Sequence, residues 1–440
     1  MNKRILFIAF SILIALNLTA CGGGNGAPGA PGQNGTNGTN GTNGTNGASG
    51  ANGSNSTNGA NSSSGKAAAQ TVSSIYSFAS YPNIDAYNPK QLFVDSSGDL
   101  YGLADGGAGF NNAGTFFKIN LTTLVETYYS FGISPNPIDL VNPRALVRAS
   151  NGNFYGISDY GGTNSSSTIF GVTTSGSISL LYDFGNNSNS TSNSNSNFPT
   201  ALTAGSDGNL YGATSQGGAN SAGTIFRFNP ATSAYSVMYS LRVNDGTYLK
   251  TIVAASDGTL YGIFNNGGAN NSGTVFKLTT VGANTTLTTL YTFGGSNSAK
   301  GRSPTDLILA SDGNLYGVTF SGGANDAGTV FKVSTAGSFS LLYSFGSFPN
   351  DGASPQRLMQ ASDGDLYGIT DGGGYYLLNN SGNGTVFKIS TSGTYVSLYS
   401  FAAITSGSRP SSGLVQDSSG NFYGGTEAGG LYSNGTLFKF

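Results

Sequence analysis

The dipeptide Tyr-Gly returns seven times at near-constant spacing, and this recurrence limits the fold more than any other feature. The copies are Tyr101-Gly102, Tyr155-Gly156, Tyr211-Gly212, Tyr261-Gly262, Tyr316-Gly317, Tyr367-Gly368 and Tyr423-Gly424, 50 to 56 residues apart. Each belongs to a unit with four short strand-like runs. One run is of the Leu-Tyr-Ser-Phe type, at Ile75–Phe78, Tyr128–Phe131, Leu181–Phe184, Met238–Leu241, Leu290–Phe293, Leu342–Phe345 and Leu398–Phe401. The next, usually opened by proline, centres on Leu92, Leu146, Leu202, Ile252, Leu307, Leu358 and Leu414. The Leu-Tyr-Gly run follows, and then Gly-Thr-Val-Phe-Lys, as at Gly273–Lys277, Gly328–Lys332 and Gly384–Lys388. Short, evenly spaced strands separated by Gly, Asn and Ser predict an all-β fold, a seven-bladed β-propeller of four-stranded blades. A β-solenoid repeats at a shorter period, and separate sandwiches need about twice the length per unit.

With the Pro-x-x-Leu run innermost, the last blade spans about Arg409 to Phe440 and lacks its outer strand. Residues 72–78 can supply it, which closes the ring without an open sheet edge. The alternative takes each unit as one blade and closes the ring by side-chain packing. In the first order the Ser-Asp-Gly-Asn turns lie on one face. The Gly-Gly-Ala-Asn loops and the variable segments Ala79–Asn88, Gly132–Asn142, Gly185–Asn197 and Gly294–Ser303 lie on the other, where scaffolded folds concentrate binding residues.

The succession Leu-Tyr-Ser-Phe, Pro-x-x-Leu, Ser-Asp-Gly-Asn-Leu-Tyr-Gly, Gly-Gly-Ala-Asn, Gly-Thr-Val-Phe-Lys resembles the GloVer-type tandem repeat of bacterial surface proteins with varied anchors. The resemblance covers Thr71–Phe440, with local departures at Gly171, Thr163 and Leu431. It implies an exported protein and no particular reaction.

The N-terminal end has its own organisation. Lys3 and Arg4 precede an apolar run from Ile5 to Leu16, too short to span a bilayer comfortably, and Leu18-Thr19-Ala20-Cys21 follows. Leu-Thr-Ala-Cys resembles the lipobox of bacterial lipoproteins. That implies a signal peptide over 1–20, lipidation of Cys21 and a membrane anchored through acyl chains. Gly22 after Cys21 favours an outer-membrane lipoprotein by the family's sorting rule, periplasmic or surface-exposed. From Gly23 to Gly53 glycine falls at every third position, similar to a collagen-like spacer. With only Pro28 and Pro31 to stiffen it, residues 21–70 read as a polar tether on a monomer. A trimeric stalk is the alternative. Residues 71–440 form the propeller.

Composition excludes several chemistries. The chain has no His among its 440 residues, which removes Ser-His-Asp and Cys-His catalysis and His-based zinc sites. A net charge of −2 gives no pull toward nucleic acid. No Asp-x-Asp-x-Asp-Gly calcium loop occurs, and no metal or cofactor is implied.

Candidate ligand-binding residues stand on the variable-loop face. Lys90, Arg144, Lys250, Arg302, Arg357 and Arg409 lie at or near the start of the inner run, where they would ring the channel mouth and attract carboxylate or sulfate groups. Asp85, Asp139, Asp245, Asp306 and Asp351 nearby could instead neutralise them. The unrepeated loop aromatics Tyr81, Tyr87, Phe110, Tyr160, Tyr375 and Tyr376 are candidates for ligand stacking. The Tyr-Gly tyrosines read as core. Lys118, Arg227, Lys277, Lys332, Lys388 and Lys439 read as a solvated strand face. In the Ser-Asp-Gly turn the Gly is constant, while the acid becomes Ser or Asn in three copies. That pattern marks a hairpin turn rather than a chemical site. The expected function is a non-catalytic surface binding or interaction module for a glycan or protein ligand. The alternatives are a carbohydrate-active enzyme using Asp, Glu or Tyr, with Glu126 and Glu427 its only glutamates, and a purely structural envelope protein.

Overall fold

A computed structural model describes residues 71–78, 86–107, 113–132, 140–186, 198–294, 299–374, 382–401 and 407–440. Cys21 and the tether lie outside them, as do Tyr81, Phe110, Tyr375, Tyr376, Asp85 and Asp139.

The strands form seven four-stranded antiparallel sheets arranged in a ring, a seven-bladed β-propeller. The closing strand β1 is Ser73–Ser77. The first blade runs from the inside outward through β2 (Tyr87–Val94), β3 (Asp99–Gly106), β4 (Thr115–Asn120) and β5 (Glu126–Ser130). The second uses β6 (Val141–Arg148) to β9 (Ile178–Asp183), and the third β10 (Pro199–Ala204) to β13 (Ala234–Ser240). The fourth uses β14 (Thr247–Ala254) to β17 (Asn284–Thr292), and the fifth β18 (Arg302–Leu309) to β21 (Phe339–Ser344). The sixth uses β22 (Gly352–Gln360) to β25 (Tyr395–Ser400). The seventh combines β26 (Ser408–Gln416), β27 (Phe422–Ala428) and β28 (Thr436–Lys439) with β1 as its outer strand. The expected closure is therefore the observed one. At this seam the Tyr76 hydroxyl donates to Glu126 of the first blade at 2.6 Å, and the Ser411 hydroxyl donates to the Pro89 carbonyl at 2.8 Å.

The Tyr-Gly repeat has a steric cause. In every blade the inner-strand Leu or Ile pairs with the Gly, and the Gly pairs with the Phe of the Thr-Val-Phe-Lys strand, as in Leu92, Gly102 and Phe117. Leu307, Gly317 and Phe331 repeat the register. The Phe ring lies across the glycine: a Cβ on Gly317 would stand 2.4 Å from the Phe331 Cζ and 2.6 Å from the Asp306 carbonyl oxygen. The equivalent Cβ would clash with the ring in the six other blades.

The last Phe of Leu-Tyr-Ser-Phe then packs edge-on against that same ring in the following blade. Phe131 meets Phe170 at 5.4 Å, Phe293 meets Phe331 at 5.2 Å and Phe345 meets Phe387 at 5.2 Å. Phe78 meets Phe117 at 5.5 Å across the seam. Such edge-to-face pairs are favourable beyond the area they bury. The buried clusters accordingly straddle neighbouring blades; one joins Ile157, Ile169 and Phe184 to Leu210, Phe226 and Phe228.

Gly317→Ala forces this over-packed contact without any change of charge. It is expected to destabilise the chain by about 1–3 kcal/mol, read as a lower melting temperature, whereas Gly313→Ala meets no neighbouring atom and costs only backbone strain.

Candidate functional site at the channel mouth

The first two strands of each blade are interrupted at one place. The register shifts between Pro89 and Gln91, and at the matching point of all seven blades. A bulge of this kind releases a residue from the ladder and re-aims its side chain. The released residues are Lys90, Arg144, Thr200, Lys250, Thr305 and Gln356, with Ser411 in the longer bulge of the seventh blade. All seven line a single cavity of about 530 Å³ at the inner strands. The residue ahead of the proline position adopts a left-handed backbone in six blades, with φ between 53° and 62° at Asn88, Asn142, Tyr248, Ser303, Ser354 and Arg409. Asn tolerates this region well, whereas a Tyr or Arg there is strained. Tyr248 and Arg409 both line the cavity, which fits the tendency of functional sites to hold strained backbone.

Five of the six cations expected at the mouth are brought together there: Lys90, Arg144, Lys250, Arg357 and Arg409. Arg302 is not among them. Its guanidinium is fastened to Ser321 and, through both carboxylate oxygens, to Asp326 at 2.7 and 2.9 Å. Of the loop aromatics, Tyr87 is half-buried in β2 with its ring against the Gly106 backbone. Tyr160 ends the second strand of its blade and is exposed.

The counter-ions come from the strand beside the bulge, four residues after the repeated Tyr. Asp105 binds Lys90 at 2.9 Å and also accepts from Asn88. Asp159 takes the same place beside Arg144 and Asn142. Asp371 and Glu427 both bind Arg409, each at 3.2 Å. At this position the third, fourth and fifth blades carry Ser215, Asn265 and Phe320. No ion pair to Lys250 or Arg357 occurs among the described residues.

The acids singled out as neutralisers are otherwise engaged. Asp245 accepts from the Arg242 amide at 2.8 Å. Asp351 is buried and accepts from the Tyr343 and Tyr395 hydroxyls at 2.7 and 2.9 Å. Asp306 is buried and accepts from the Leu358 amide at 3.0 Å and the Thr251 hydroxyl at 3.4 Å, tying three blades together. Burial raises its pKa against the opposing field of Arg357. Lys250 is exposed to the cavity, with protein crowded around its stem. That desolvation, with Arg357 next in effect and Arg144 and Lys90 adding to it, lowers its pKa despite Asp306.

The seven Tyr-Gly tyrosines are buried, as expected, at 7% exposure or less. The Phe-Lys cations are not merely solvated. Lys118, Lys277, Lys332, Lys388 and Lys439 lie 5.2 to 6.0 Å from the centroids of these tyrosine rings. The turn acid holds the tyrosine hydroxyl, at 2.7 Å for Asp207 and Tyr211 and for Asp312 and Tyr316. In the seventh blade Ser419 replaces the acid, and Asp417, two residues earlier, reaches Tyr423 at 3.0 Å. The acid is thus less exchangeable than its aligned letters suggest. In the second blade Asn151 holds Tyr155 and Gly171 replaces the lysine, so acid and base disappear together. Among the described residues no group of three or more His, Cys, Asp or Glu could hold a metal ion.

A profile of the Gloeobacter/Verrucomicrobia repeat matches residues 109–304 and 252–440, and the chain belongs to that family. No curated protein matches it. Among solved structures, an oligogalacturonate lyase from Vibrio parahaemolyticus is similar at 11% identity and a TM-score of 0.52, over 84% of this chain and 92% of its own. A fungal alcohol oxidase of the AA5 family, in complex with copper, is similar at 10% identity and a TM-score of 0.53, over 83% and 76% of the two chains. A luciferin-regenerating enzyme is similar at 16% identity and a TM-score of 0.44, over 73% and 95%. The first two likenesses show the fold; a fold does not by itself choose between binding and catalysis.

Burial opposes ionisation of Asp312, but donors from Tyr316, Asn314 and Lys332 outweigh it and lower its pKa to about 2. The unfolded value is 3.8, so the stabilisation is complete above that pH and is lost as pH falls toward about 2. Thermal melts of the wild type are expected to fall across this window, and those of Asp312→Asn to fall less steeply.

Proposed function

We propose that this chain is an exported, membrane-anchored propeller that acts as a non-catalytic binding module, taking a surface glycan or protein ligand at the channel mouth. The supporting observation is the bulge ring: seven released side chains, one from each blade, line one cavity on the face opposite the uniform turns. Released positions can vary without disturbing the ladder, so the scaffold can carry a recognition surface at little cost in fold stability. The anchor rests on Cys21 and its preceding apolar run, with the Gly-x-y segment as tether to a bacterial outer membrane.

Steric closure of the mouth tests the reading without touching its charge. Glycan-array and pull-down screens with the purified chain are expected to return a ligand that Gln356→Trp no longer binds, with an unchanged melting temperature as the folding control. Screens that return nothing, or a ligand that Gln356→Trp still binds, overturn it.

One observation favours a second reading. Asp371 and Glu427 lie on either side of Arg409 in the same cavity, and glycoside hydrolysis uses two carboxyl groups flanking the scissile bond. One of the pair must then be protonated, whereas here both serve as ion-pair partners of a single guanidinium. Incubation of the bound glycan with the chain is expected to release no reducing ends; release abolished by Glu427→Gln would establish the hydrolase.

A further inference from the structure

The seven blades are internal controls for one another. In the first and second blades a bulge cation is matched by an acid four residues after the repeated Tyr: Lys90 by Asp105 and Arg144 by Asp159. In the fourth blade the bulge cation is Lys250 and the matching position is Asn265, whose amide donates to the Pro304 carbonyl at 3.2 Å. The arrangement that neutralises two bulge cations is therefore one carboxylate short at the third. Arg357, from the sixth blade, lines the same cavity as Lys250, and it too has no ion pair among the described residues. Asp306 forms an ion pair with neither: it is buried, its oxygens accept from the Leu358 amide and the Thr251 hydroxyl, and it reaches the two cations only through its field.

From this we infer that the missing counter-charge is supplied by the ligand: Lys250 and Arg357 together bind an oxyanion, a carboxylate or a sulfate, carried by an acidic carbohydrate. This rests on the binding-module reading and names the ligand class for the same site. Two cations without an ion-pair partner at one cavity mouth repel each other, and an oxyanion between them relieves that repulsion while gaining charge-assisted hydrogen bonds. The lowered pKa of Lys250 agrees with cations crowded without a partner. Tyr248 argues for a sugar. It is 51% exposed at the cavity wall and lies against Arg144, at a backbone position that costs it strain. Its ring offers an apolar face in the same cavity. The cavity, at about 530 Å³, is of a size for one or two sugar rings.

The test uses the purified full chain and calorimetric titration with four probes: a mannuronate hexamer, a sulfated dextran oligomer, neutral maltohexaose and hexaglutamate. Binding of the mannuronate or the sulfated probe is expected, weakening with salt, and whichever binds identifies carboxylate or sulfate as the source. Lys250→Gln and Arg357→Gln are each expected to weaken it roughly tenfold or more, as loss of a hydrogen bond to a charged group does. Asn265→Asp restores the internal carboxylate and is expected to weaken it similarly, although it removes no cation. Lys332→Gln, on the opposite face, is expected to leave it unchanged, and melting temperatures control for folding. Maltohexaose binding as tightly as the acidic sugars overturns the inference and leaves the binding module standing. So does a neutral glycan or protein ligand, returned by the screens, that Gln356→Trp blocks and Asn265→Asp does not. Acidic-sugar binding that all three mouth variants leave intact overturns the site, and binding of hexaglutamate alone overturns the carbohydrate class. Silence from all four probes overturns the inference.

Discussion

The propeller depends on the absence of one carbon atom. Glycine after the repeated tyrosine leaves room for a phenylalanine ring from the next strand, and that ring is the platform on which the preceding blade's last aromatic residue lands. A single position thus couples packing within a blade to packing between blades. The coupling explains why the Tyr-Gly pair persists while flanking segments drift in length. It also makes the seam ordinary. Phe78 on Phe117 is the same contact as Phe345 on Phe387, so the N-terminal strand closes the ring by repeating a rule rather than by a special device. In the third blade Leu241 takes the place of the aromatic residue and clusters with Phe276, which keeps the burial and gives up the edge-to-face geometry.

The same register that fixes Leu, Gly and Phe forces the bulge ahead of the Leu, and the bulge makes the mouth. A residue outside the ladder has no ladder partner to satisfy, so its identity varies: Lys, Arg, Thr, Lys, Thr, Gln and Ser occupy equivalent places, and of these Thr305 and Ser411 donate to the Pro355 and Pro89 carbonyls of the neighbouring inner strand. Uniform positions build the ring and variable positions face its channel. The residue just after the bulge has a mixed role. Gln91 accepts from the Leu146 amide at 2.7 Å and Asp306 from the Leu358 amide at 3.0 Å, so both link an inner strand to the next one. Arg357 occupies the corresponding place in the sixth blade and is an arginine, which can accept nothing from the next amide.

Blade number, strand order and closure were legible because each is a matter of counting and pattern. The cations at the mouth were legible because the repeat aligns them. Their partners were not, for a geometric reason. Asp245, Asp306 and Asp351 are near those cations along the chain, but antiparallel pairing sets the bulge beside a residue on the following strand. The acids beside the bulge cations are therefore Asp105 and Asp159, while Arg409, ahead of its bulge, takes Glu427 from the following strand and Asp371 from the preceding blade; all four acids stand four residues after the repeated tyrosine. That constant offset was the available signal. Arg302 was misplaced because its partner, Asp326, comes from the Gly-Gly-Ala-Asn-Asp loop, whose fold the linear pattern does not disclose. Tyr248 was missed because its unit lacks the proline that marks the inner run elsewhere. In the seventh blade the turn acid looked lost because a two-residue shift hid Asp417 from the alignment, whereas in the second blade Asn151 does replace it.

A net charge of −2 says little about a site whose charges are sorted by position. Acids flank the mouth in the first, second, sixth and seventh blades, and neutral residues take their place in the third, fourth and fifth. The mouth is therefore uneven in charge although the ring is regular in shape. Asp306, the one acid of the fifth blade close to Lys250 and Arg357, is withdrawn into the wall to join blades, and its burial favours the uncharged form. If it lay at the surface it would neutralise the cations and loosen the junction between inner strands. The demand for a tight ring thus keeps two positive groups open to the channel, and the scaffold's integrity and the site's charge have a common origin in where that one carboxylate points.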